Sequence, residues 1–325
     1  MKRPFVIWYT GSICFLILAV IVPDLLRPQE MAAYDLLMKT RPAQTVSPEI
    51  AIIEIGDDTL KSLGNWPLPR SFHAALIKAL AESGCRMIVF DIMFSELSQH
   101  DESLSEAMRQ SSNVYLPYAF KLEALKVKSA GQEVIAQQIL GGAAEPFKAV
   151  AAGIGHINIF VDTDGKVRQL PLWVSYEDTR LPSLGVLAAA ARVGLSPEQL
   201  PLTRMVDSRG TMWINYPGQW TKTFQHFSYV DVLKAYAAHQ SGSESFLDLR
   251  VFKNKICFVG LTATGTSDFR ANPIDPVYPM VGTQASVCDS VLRGAFIRRA
   301  GPPARGALAG VVFLLSTLIC LNFLP

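Results

Sequence analysis

The chain has 325 residues, half of them hydrophobic, and a formal net charge of +2. This length is sufficient for one large domain or two ordinary ones, each with a sizeable core. Because the net charge is close to zero, the sequence lacks the positive field that attracts nucleic acid, and we expect no nucleic-acid partner.

Uncharged apolar segments at both ends predict two membrane spans. Phe5–Val22 and Gly306–Leu324 contain no charged residue, and each approaches the roughly 20 residues that a helix needs to cross a bilayer. Lys2 and Arg3 favour a cytoplasmic N-terminus. A cleaved signal peptide is the rival interpretation of the first segment. The apolar run is longer than the usual h-region and no A-x-A-like site follows it, which favours an uncleaved anchor.

Two spans divide the chain into three parts. We expect an N-terminal anchor in residues 1–23, an extracytoplasmic domain in 24–305 and a second span in 306–325, with the protein in the plasma (inner) membrane. Three arginines oppose this topology because they flank the second span on its outer side: Arg298, Arg299 and Arg305. Long translocated loops follow the positive-inside tendency poorly, so the predicted topology is kept.

The first half of the central region alternates between strand and helix patterns. After a short helix ending near Arg41-Pro42, these are strand 49–55, helix 71–83, strand 86–94, helix 101–111 and strand 113–120. This order predicts βαβ units and a parallel sheet. The next segment, 121–150, is less regular and is interpreted as an excursion from the sheet.

The second half continues the α/β pattern after a hairpin across Asp164-Gly165. The remaining predicted elements are helix 183–193, strand 211–216, helix 229–237, strand 255–260 and helix 283–293. The predicted fold is therefore α/β, with a mixed, mainly parallel sheet covered by helices, an inserted hairpin and flanking transmembrane helices.

Several motifs occur together in a characteristic order. They are NWPLPR, FDIMF with Asp101 downstream, DGKVRQLPL, LPSLG, INYPG, FSYVDVL and KICFVGLTATGTSD. This ordered set resembles the CHASE domain of the second type, the cyclase and histidine-kinase-associated sensory extracellular domain, from about Tyr34 to Leu292. The resemblance implies an extracytoplasmic sensor that signals through C-terminal spans to a cytoplasmic cyclase, kinase or similar output.

The sequence departs from that family in two respects. Where relatives usually have Pro-Gly followed by His-Ala, ungapped matching gives Pro279-Met280 and Gln284-Ala285. If the histidine serves a ligand, its chemistry differs here, because glutamine does not change charge. The given residues also include no output module after the second predicted span.

The cluster from Gly64 to Leu80 contains the first two candidate ligand-binding residues, Trp66 and Arg70. Two prolines hold Trp66 and Leu68 out of the following helix. In a purely structural interpretation Trp66 packs against the helix and Arg70 pairs with a carboxylate, for which Asp91 is a candidate. In the functional interpretation Arg70 lies at a pocket rim and binds an anion through its planar guanidinium.

Three further candidates follow buried strands. Asp91 ends an apolar run, and a carboxylate at the carboxyl end of a parallel strand lies where α/β sheets bind ligands. Thr262 and Asp268 belong to the loop after strand 255–260, whose backbone N–H groups could form an anion-binding nest. Capping, ion pairing or a tight turn are the structural alternatives for these positions.

No catalytic, metal or cofactor site is predicted. Asp162 and Asp164 resemble part of a calcium loop, but the later ligands are missing and a hairpin turn explains them. The five histidines show no metal-binding spacing, and Cys85 and Cys257 are expected to be buried thiols rather than part of a disulfide framework. No nucleophile elbow, kinase signature or cyclase signature occurs.

The sequence therefore predicts a membrane-anchored extracytoplasmic sensor that binds an unidentified small molecule or ion. A homodimer is expected, because displacement between two protomers is easily carried across a bilayer. The partner on the cytoplasmic side would be a signalling module. The alternatives are a membrane-tethered extracytoplasmic enzyme and a protein–protein interaction module.

Overall fold

The computed structural model describes residues 27–128, 133–201, 205–207, 209–265 and 268–298, together with positions 307, 310, 311 and 314. The chain divides into two compact units, one comprising residues 42–298 and the other residues 1–41 with 299–325. In the latter unit, helix α1 (Arg27–Thr40) is the helix expected before Arg41-Pro42.

Neither predicted membrane span can be compared with a helix of the structure. Phe5–Val22 lies outside the described residues, and so does Gly306–Leu324 apart from four positions. Among the residues that are described, no helix has both the length and the apolar character needed to cross a bilayer. The flanking transmembrane helices therefore stay a prediction.

The remaining elements all belong to the 42–298 unit. Its strands are β1 (Ile50–Ile55), β2 (Met87–Phe90), β3 (Val114–Lys128), β4 (Glu133–Gly141), β5 (Gly153–His156), β6 (Phe160–Val161), β7 (Val167–Pro171), β8 (Trp173–Tyr176), β9 (Thr179–Pro182), β10 (Thr211–Trp213), β11 (Gln225–Ser228), β12 (Ile256–Leu261), β13 (Phe269–Arg270) and β14 (Tyr278–Pro279). Its helices are α2 (Asp57–Leu63), α3 (Arg70–Glu82), α4 (Asp101–Ser111), α5 (Glu145–Lys148), α6 (Leu184–Arg192), α7 (Tyr229–Gln240) and α8 (Met280–Arg293).

The centre of the unit is a parallel sheet with the strand order β11-β1-β12-β2-β3-β5. This confirms the mainly parallel sheet predicted from the βαβ pattern. The apolar runs of β2 and β12 are buried along their whole length, as expected for strands covered on both faces. Strand β12 lies between β1 and β2 in the sheet although it comes much later in the chain, and the sequence did not predict this position.

Helices α3, α4 and α7 cover one face of the sheet, and α6 and α8 lie on the other. Ile53, Phe90 and Val259 belong to one apolar core with side chains of the first three helices. On the opposite face α8 approaches the sheet so closely that a Cβ at Gly260 would lie 2.5 Å from Cβ of Val281. Glycine at this position is therefore required by the packing of α8 on β12.

Segment 121–150 was wrongly interpreted as an excursion from the sheet. The second half of β3 pairs antiparallel with β4, which is followed in the same sheet by β8 and β9. The predicted hairpin across Asp164-Gly165 does form, between β6 and β7, and β10 completes a separate three-stranded sheet. Gly165 has a φ of 80°, which suits the glycine of this turn.

Three local details extend the sequence interpretation. Helix α2 directly follows β1 and was missed, because two helical turns provide too few positions for a clear apolar periodicity. Helix α8 begins at Met280 rather than 283, after Pro279, and no side chain caps it, so the sequence had no capping signal at that point. Cys85 and Cys257 are buried free thiols, with their Sγ atoms 3.4 Å apart.

Candidate functional site at the carboxyl edge of the sheet

Polar residues gather at the edge where the parallel strands end. Strand β1 leads into Asp57 and Asp58, β2 into Asp91, and β12 into the loop that contains Thr262 and Asp268. Because carboxyl ends of parallel strands share one edge, the fold brings together acids that are far apart in sequence. This is the edge that the sequence predicted for ligand binding.

Asp91 is the most deeply buried acid of this edge, with 8% of its surface exposed. Its backbone N–H donates to the carbonyl of Val259 at 2.8 Å, which continues the pairing of β2 with β12. Its Oδ2 atom is buried and has no hydrogen-bond partner in the part of the chain that the structure describes. Burial raises the pKa of Asp91 well above its usual value, and the charge of Asp268 raises it further.

Asp268 is the second acid of this group. Burial raises its pKa to about 6, opposed by the charge of Arg270. Its backbone carbonyl accepts a hydrogen bond of 3.0 Å from the N–H of Met280, the first residue of α8. We call Asp91 and Asp268 the edge carboxyl pair, because the charge of Asp268 contributes to the raised pKa of Asp91.

Asp57 fixes the loop after β12 on this edge. Its carboxylate accepts from the N–H and the hydroxyl of Thr264 at 2.8 and 3.0 Å. Thr262 is partly exposed, and its N–H donates to the carbonyl of Ile55 at 3.0 Å. The Thr262 hydroxyl lies 3.7 Å from the position that a Cβ of Gly56 would occupy. Thr262 is therefore on the predicted edge, next to the end of β1.

Arg70 forms its ion pair with Asp101 and not with Asp91. Its Nε lies 3.5 Å from Oδ1 of Asp101, and its Nη2 donates to the carbonyl of Glu96 at 3.1 Å. The guanidinium also stacks over the ring of Phe94 at 4.7 Å from the centroid. The pairing with Asp91 that the structural interpretation allowed is therefore replaced by a pairing with Asp101, in the first turn of α4.

Trp66 lies near Arg70 on the α3 side of the sheet. It is partly buried and contacts the ring of His73 edge-on at 6.5 Å between centroids. His73 is buried and lies 3.0 Å from the hydroxyl of Tyr229. Burial lowers the pKa of His73 to about 3, with a further contribution from the charge of Arg70. These contacts tie Trp66, through His73, to the packing between α3 and α7, whereas the ion pair of Arg70 is with α4.

The five predicted site residues thus divide between two faces. Ile88 and Phe90 of β2 point into the core beneath α3, so alternation along the chain directs Val89 and Asp91 to the opposite face. On that face lies α8, whose first residue bonds to Asp268. The edge carboxyl pair, with Thr262 nearby, is the part of the prediction that the fold gathers in one place.

Two other sequence motifs have structural explanations. Arg168 has a fully buried side chain that pairs with Asp162 at 2.7 Å and with Asp164 at 2.6 Å. Hydrogen bonding to Arg168 lowers the pKa of Asp164 to about 2. We call these three residues the hairpin cluster.

Gln284, at the position of the usual family histidine, accepts hydrogen bonds at the start of α6. Its donors are the Ser183 hydroxyl at 3.1 Å and the Gly185 N–H at 3.0 Å.

Sequence reasoning missed a cavity at the opposite edge of the sheet. It has a volume of about 640 Å³ and lies between the C-terminal ends of α3 and α7 and the loop 243–250. Glu82, on its wall, accepts from the Tyr236 hydroxyl at 2.6 Å and from the Gln240 amide at 3.0 Å. The polar groups come from a helix end and a loop without a recognisable motif, so no sequence signal predicted the cavity.

The protein is thus an α/β domain with a mainly parallel sheet. A buried acidic residue lies at the carboxyl edge of that sheet. The model of the CHASE2 domain family matches residues 12–321, and the chain belongs to this family. CHASE2 domains are sensory extracellular domains and are not catalytic. No curated protein and no solved structure matches the chain.

Proposed function

We propose that this protein is the extracytoplasmic sensory part of a membrane-anchored receptor and that it binds a small ligand or ion at the edge carboxyl pair. The observation that carries this proposal is Asp91, which is 8% exposed and whose buried Oδ2 has no hydrogen-bond partner among the described residues. A buried polar group without a partner is costly, so a fold that keeps one has a reason other than stability.

Helix α8 supports a route from that site to the membrane. Its first residue bonds to Asp268, and ten consecutive residues, Val281–Ser290, are buried. Near its other end Asp289 accepts from the N–H of Ser47 at 2.7 Å, and Arg293 donates to Gln44 at 3.1 Å. At 1.5 Å per residue, 14 residues cover about 21 Å. A shift of α8 would therefore reach both chain ends of the 42–298 unit.

Membrane anchoring, the dimer and a cytoplasmic output complete the proposal. The uncharged segments Phe5–Val22 and Gly306–Leu324 support anchoring, and membership of a sensory extracellular family supports an extracytoplasmic central unit. A ligand shifts a receptor only if it binds one of two states more tightly. A shift of the buried helix α8 along the sheet, which moves the segment that follows it in each protomer, is the two-state element we propose.

The test uses the full chain reconstituted in nanodiscs of zwitterionic lipid and a panel of small molecules and ions. At least one panel member should raise the melting temperature of the parent protein. The shift should disappear in Asp91→Asn and persist in Glu102→Gln, an exposed acid of α4 that serves as the matched control. Equal shifts in the parent and in Asp91→Asn would contradict a ligand site at Asp91.

A further inference from the structure

Two cysteines meet where strands β2 and β12 begin, at the edge of the sheet opposite the candidate site. The Sγ atoms of Cys85 and Cys257 lie 3.4 Å apart, although 172 positions separate the two residues in the chain. Cys257 is the second residue of β12 and stands opposite Ile88 of β2, and Cys85 precedes β2 by two residues. The two thiols therefore connect neighbouring central strands of the parallel sheet.

The backbone holds both cysteines in this position. The N–H of Cys85 donates to the carbonyl of Leu80 at 2.9 Å, and the Cys85 carbonyl accepts from the Asn113 amide at 2.9 Å. Cys257 belongs to the strand that is paired with β1 on one side and with β2 on the other. A disulfide has an S–S distance of about 2.0 Å, so the remaining approach from 3.4 Å is small and is within reach of side-chain rotation.

The surroundings of the two thiols are apolar and closed. Cys85 is 5% exposed, Cys257 is fully buried, and both belong to the core beneath α3. Burial raises the pKa of Cys257 well above its usual value, so the reactive thiolate is scarce in the folded protein. We therefore expect the pair to react while the core is still open, after which the closed core shields the product from reducing thiols.

A metal site does not explain the pair. Thiolate-preferring metals such as zinc take four ligands in structural sites and three protein ligands in catalytic ones. Among the described residues, no group of three or more His, Cys, Asp and Glu side chains could hold a metal. Cys288 belongs to α8 on the other face of the sheet, so it does not compete as a partner. Oxidation to a disulfide is the reaction that two adjacent thiols undergo without further ligands.

We propose that Cys85 and Cys257, which the structure shows as thiols, are joined by a disulfide in the oxidising compartment. The bond rests on the extracytoplasmic placement proposed above, because disulfides form and persist in such compartments. The oxidant is the disulfide of an extracytoplasmic thiol–disulfide oxidoreductase. An S–S bond forms between the two cysteines, the S–S bond of the oxidant breaks, and two electrons and two protons pass to the sulfurs of the oxidant.

The bond fixes the amino ends of β2 and β12 to each other. These two strands carry Asp91 and the loop with Thr262 at their carboxyl ends. The disulfide therefore stabilises the part of the sheet from which the candidate site emerges. No local sequence pattern predicts this bond, because the two cysteines are distant in the chain and become neighbours only through the position of β12 in the sheet.

The direct test traps the thiols of the full chain at harvest. Membranes of expressing cells are denatured in N-ethylmaleimide, and the chain is digested with trypsin without reductant. Mass spectrometry should find peptides 79–86 and 256–270 joined in most chains, with Cys288 alkylated. Cys288→Ala should contain the same joined peptides, whereas Cys257→Ala should leave Cys85 alkylated.

Melting temperatures provide a second readout on the full chain in nanodiscs. A disulfide that closes so long a loop should raise the melting temperature by about 5–15 °C, because it restricts the unfolded chain. Cys257→Ala should lose this increment relative to Cys288→Ala, which also removes a fully buried thiol but no bond. Cys85→Ala should lose a similar increment, and the double variant Cys85→Ala/Cys257→Ala little more, since the same bond is lost only once.

Two results would overturn the disulfide. One is alkylation of both Cys85 and Cys257 in the harvested parent, and the other is an equal melting temperature for Cys257→Ala and Cys288→Ala. Placement is tested separately with Ser243→Cys, an exposed position at which a membrane-impermeant maleimide should react in intact cells. Labelling at 243 together with an alkylated pair refutes the disulfide alone, whereas absence of labelling refutes the extracytoplasmic placement as well.

Discussion

Two groups of aspartates differ in the counter-charge that lies next to them. In the hairpin cluster, Asp162 and Asp164 surround the fully buried guanidinium of Arg168 at 2.6 to 2.7 Å, and the pKa of Asp164 falls to about 2. In the edge carboxyl pair the buried Oδ2 of Asp91 has no hydrogen-bond partner among the described residues, and the pKa of Asp268 rises to about 6 although the charge of Arg270 opposes the rise. The acids of the hairpin cluster have close cations, Arg168 and also Lys166 at 3.8 Å from Asp164, whereas Asp91 has no such contact among the described residues.

This difference separates a structural charge cluster from a candidate ligand site. Both groups consist of aspartates next to turns or strand ends, so residue type alone does not distinguish them. The distinction depends on whether the chain supplies the counter-charge. A site that leaves the counter-charge to a ligand is less stable without that ligand, and binding then provides free energy for a conformational change.

The largest expected effect comes from removing the cation of the hairpin cluster. Arg168→Leu removes the buried guanidinium and its hydrogen bonds to Asp162 and Asp164, and should lower the free energy of unfolding by about 2–3 kcal/mol. Denaturant unfolding of the full chain, followed by tryptophan fluorescence, measures the change. Arg250→Leu, which breaks an exposed pair with Asp248, is the control and should have little effect. Equal losses in both variants would contradict a special role for buried pairing.

A smaller effect of opposite sign is expected at the edge carboxyl pair. Without added ligand, Asp268→Asn should raise the free energy of unfolding at pH 7 by about 1–2 kcal/mol, because burial of a charged carboxylate is no longer required. The folded-state pKa of Asp268 is about 6 against an ordinary 3.8. The folded parent therefore binds the proton more tightly, and its stability falls as the pH rises from 3.8 to 6.

The pH dependence checks the sign of that effect. The difference between Asp268→Asn and the parent should grow between pH 4 and pH 6 and then remain constant, as measured by denaturant unfolding at each pH. An unchanged or decreased stability of the variant at pH 7 would show that Asp268 is neutralised by another group of the protein.

The smallest expected effect concerns Arg70. Arg70→Ala removes the pairing with Asp101 and the stacking on Phe94, so we expect a loss of about 1 kcal/mol in unfolding free energy. The thermal shift that a panel member produces in the parent should not change, because Arg70 lies on the other face from the edge carboxyl pair. Melting curves of this variant with and without that panel member test the point. A large change in the shift would place Arg70 in the ligand site after all.

The parallel core of the fold could be predicted because its signals are local. Continuous apolar runs at β2 and β12 and the helical periodicity of α3 are visible in the sequence, and they alternate as in βαβ units. The insertion of β12 between β1 and β2 and the pairing of β4 with β8 are choices of distant partners. No local pattern specifies such partners, so these features required the structure.

The candidate site was predictable to a similar extent. Asp91 and Asp268 could be selected because each follows a buried strand, and parallel strands bring their carboxyl ends together. The partner of Arg70 could not be selected, because Asp91 and Asp101 are equally acidic in sequence and only side-chain direction decides between them. Trp66 and Arg70 lie on the face of the sheet that α3 covers. Alternation along β2 directs Asp91 to the other face.

The central claim is that occupation of the edge carboxyl pair is coupled to α8. Hydrogen exchange of peptides covering Met280–Arg293, measured on the full chain in nanodiscs with and without a panel member that raises the melting temperature of the parent, tests it most directly. The account predicts slower amide exchange in the first turns of α8 with this panel member in the parent and in Glu102→Gln, and no change in Asp91→Asn. Identical exchange with and without the panel member in the parent, or equal slowing in Asp91→Asn, would contradict it.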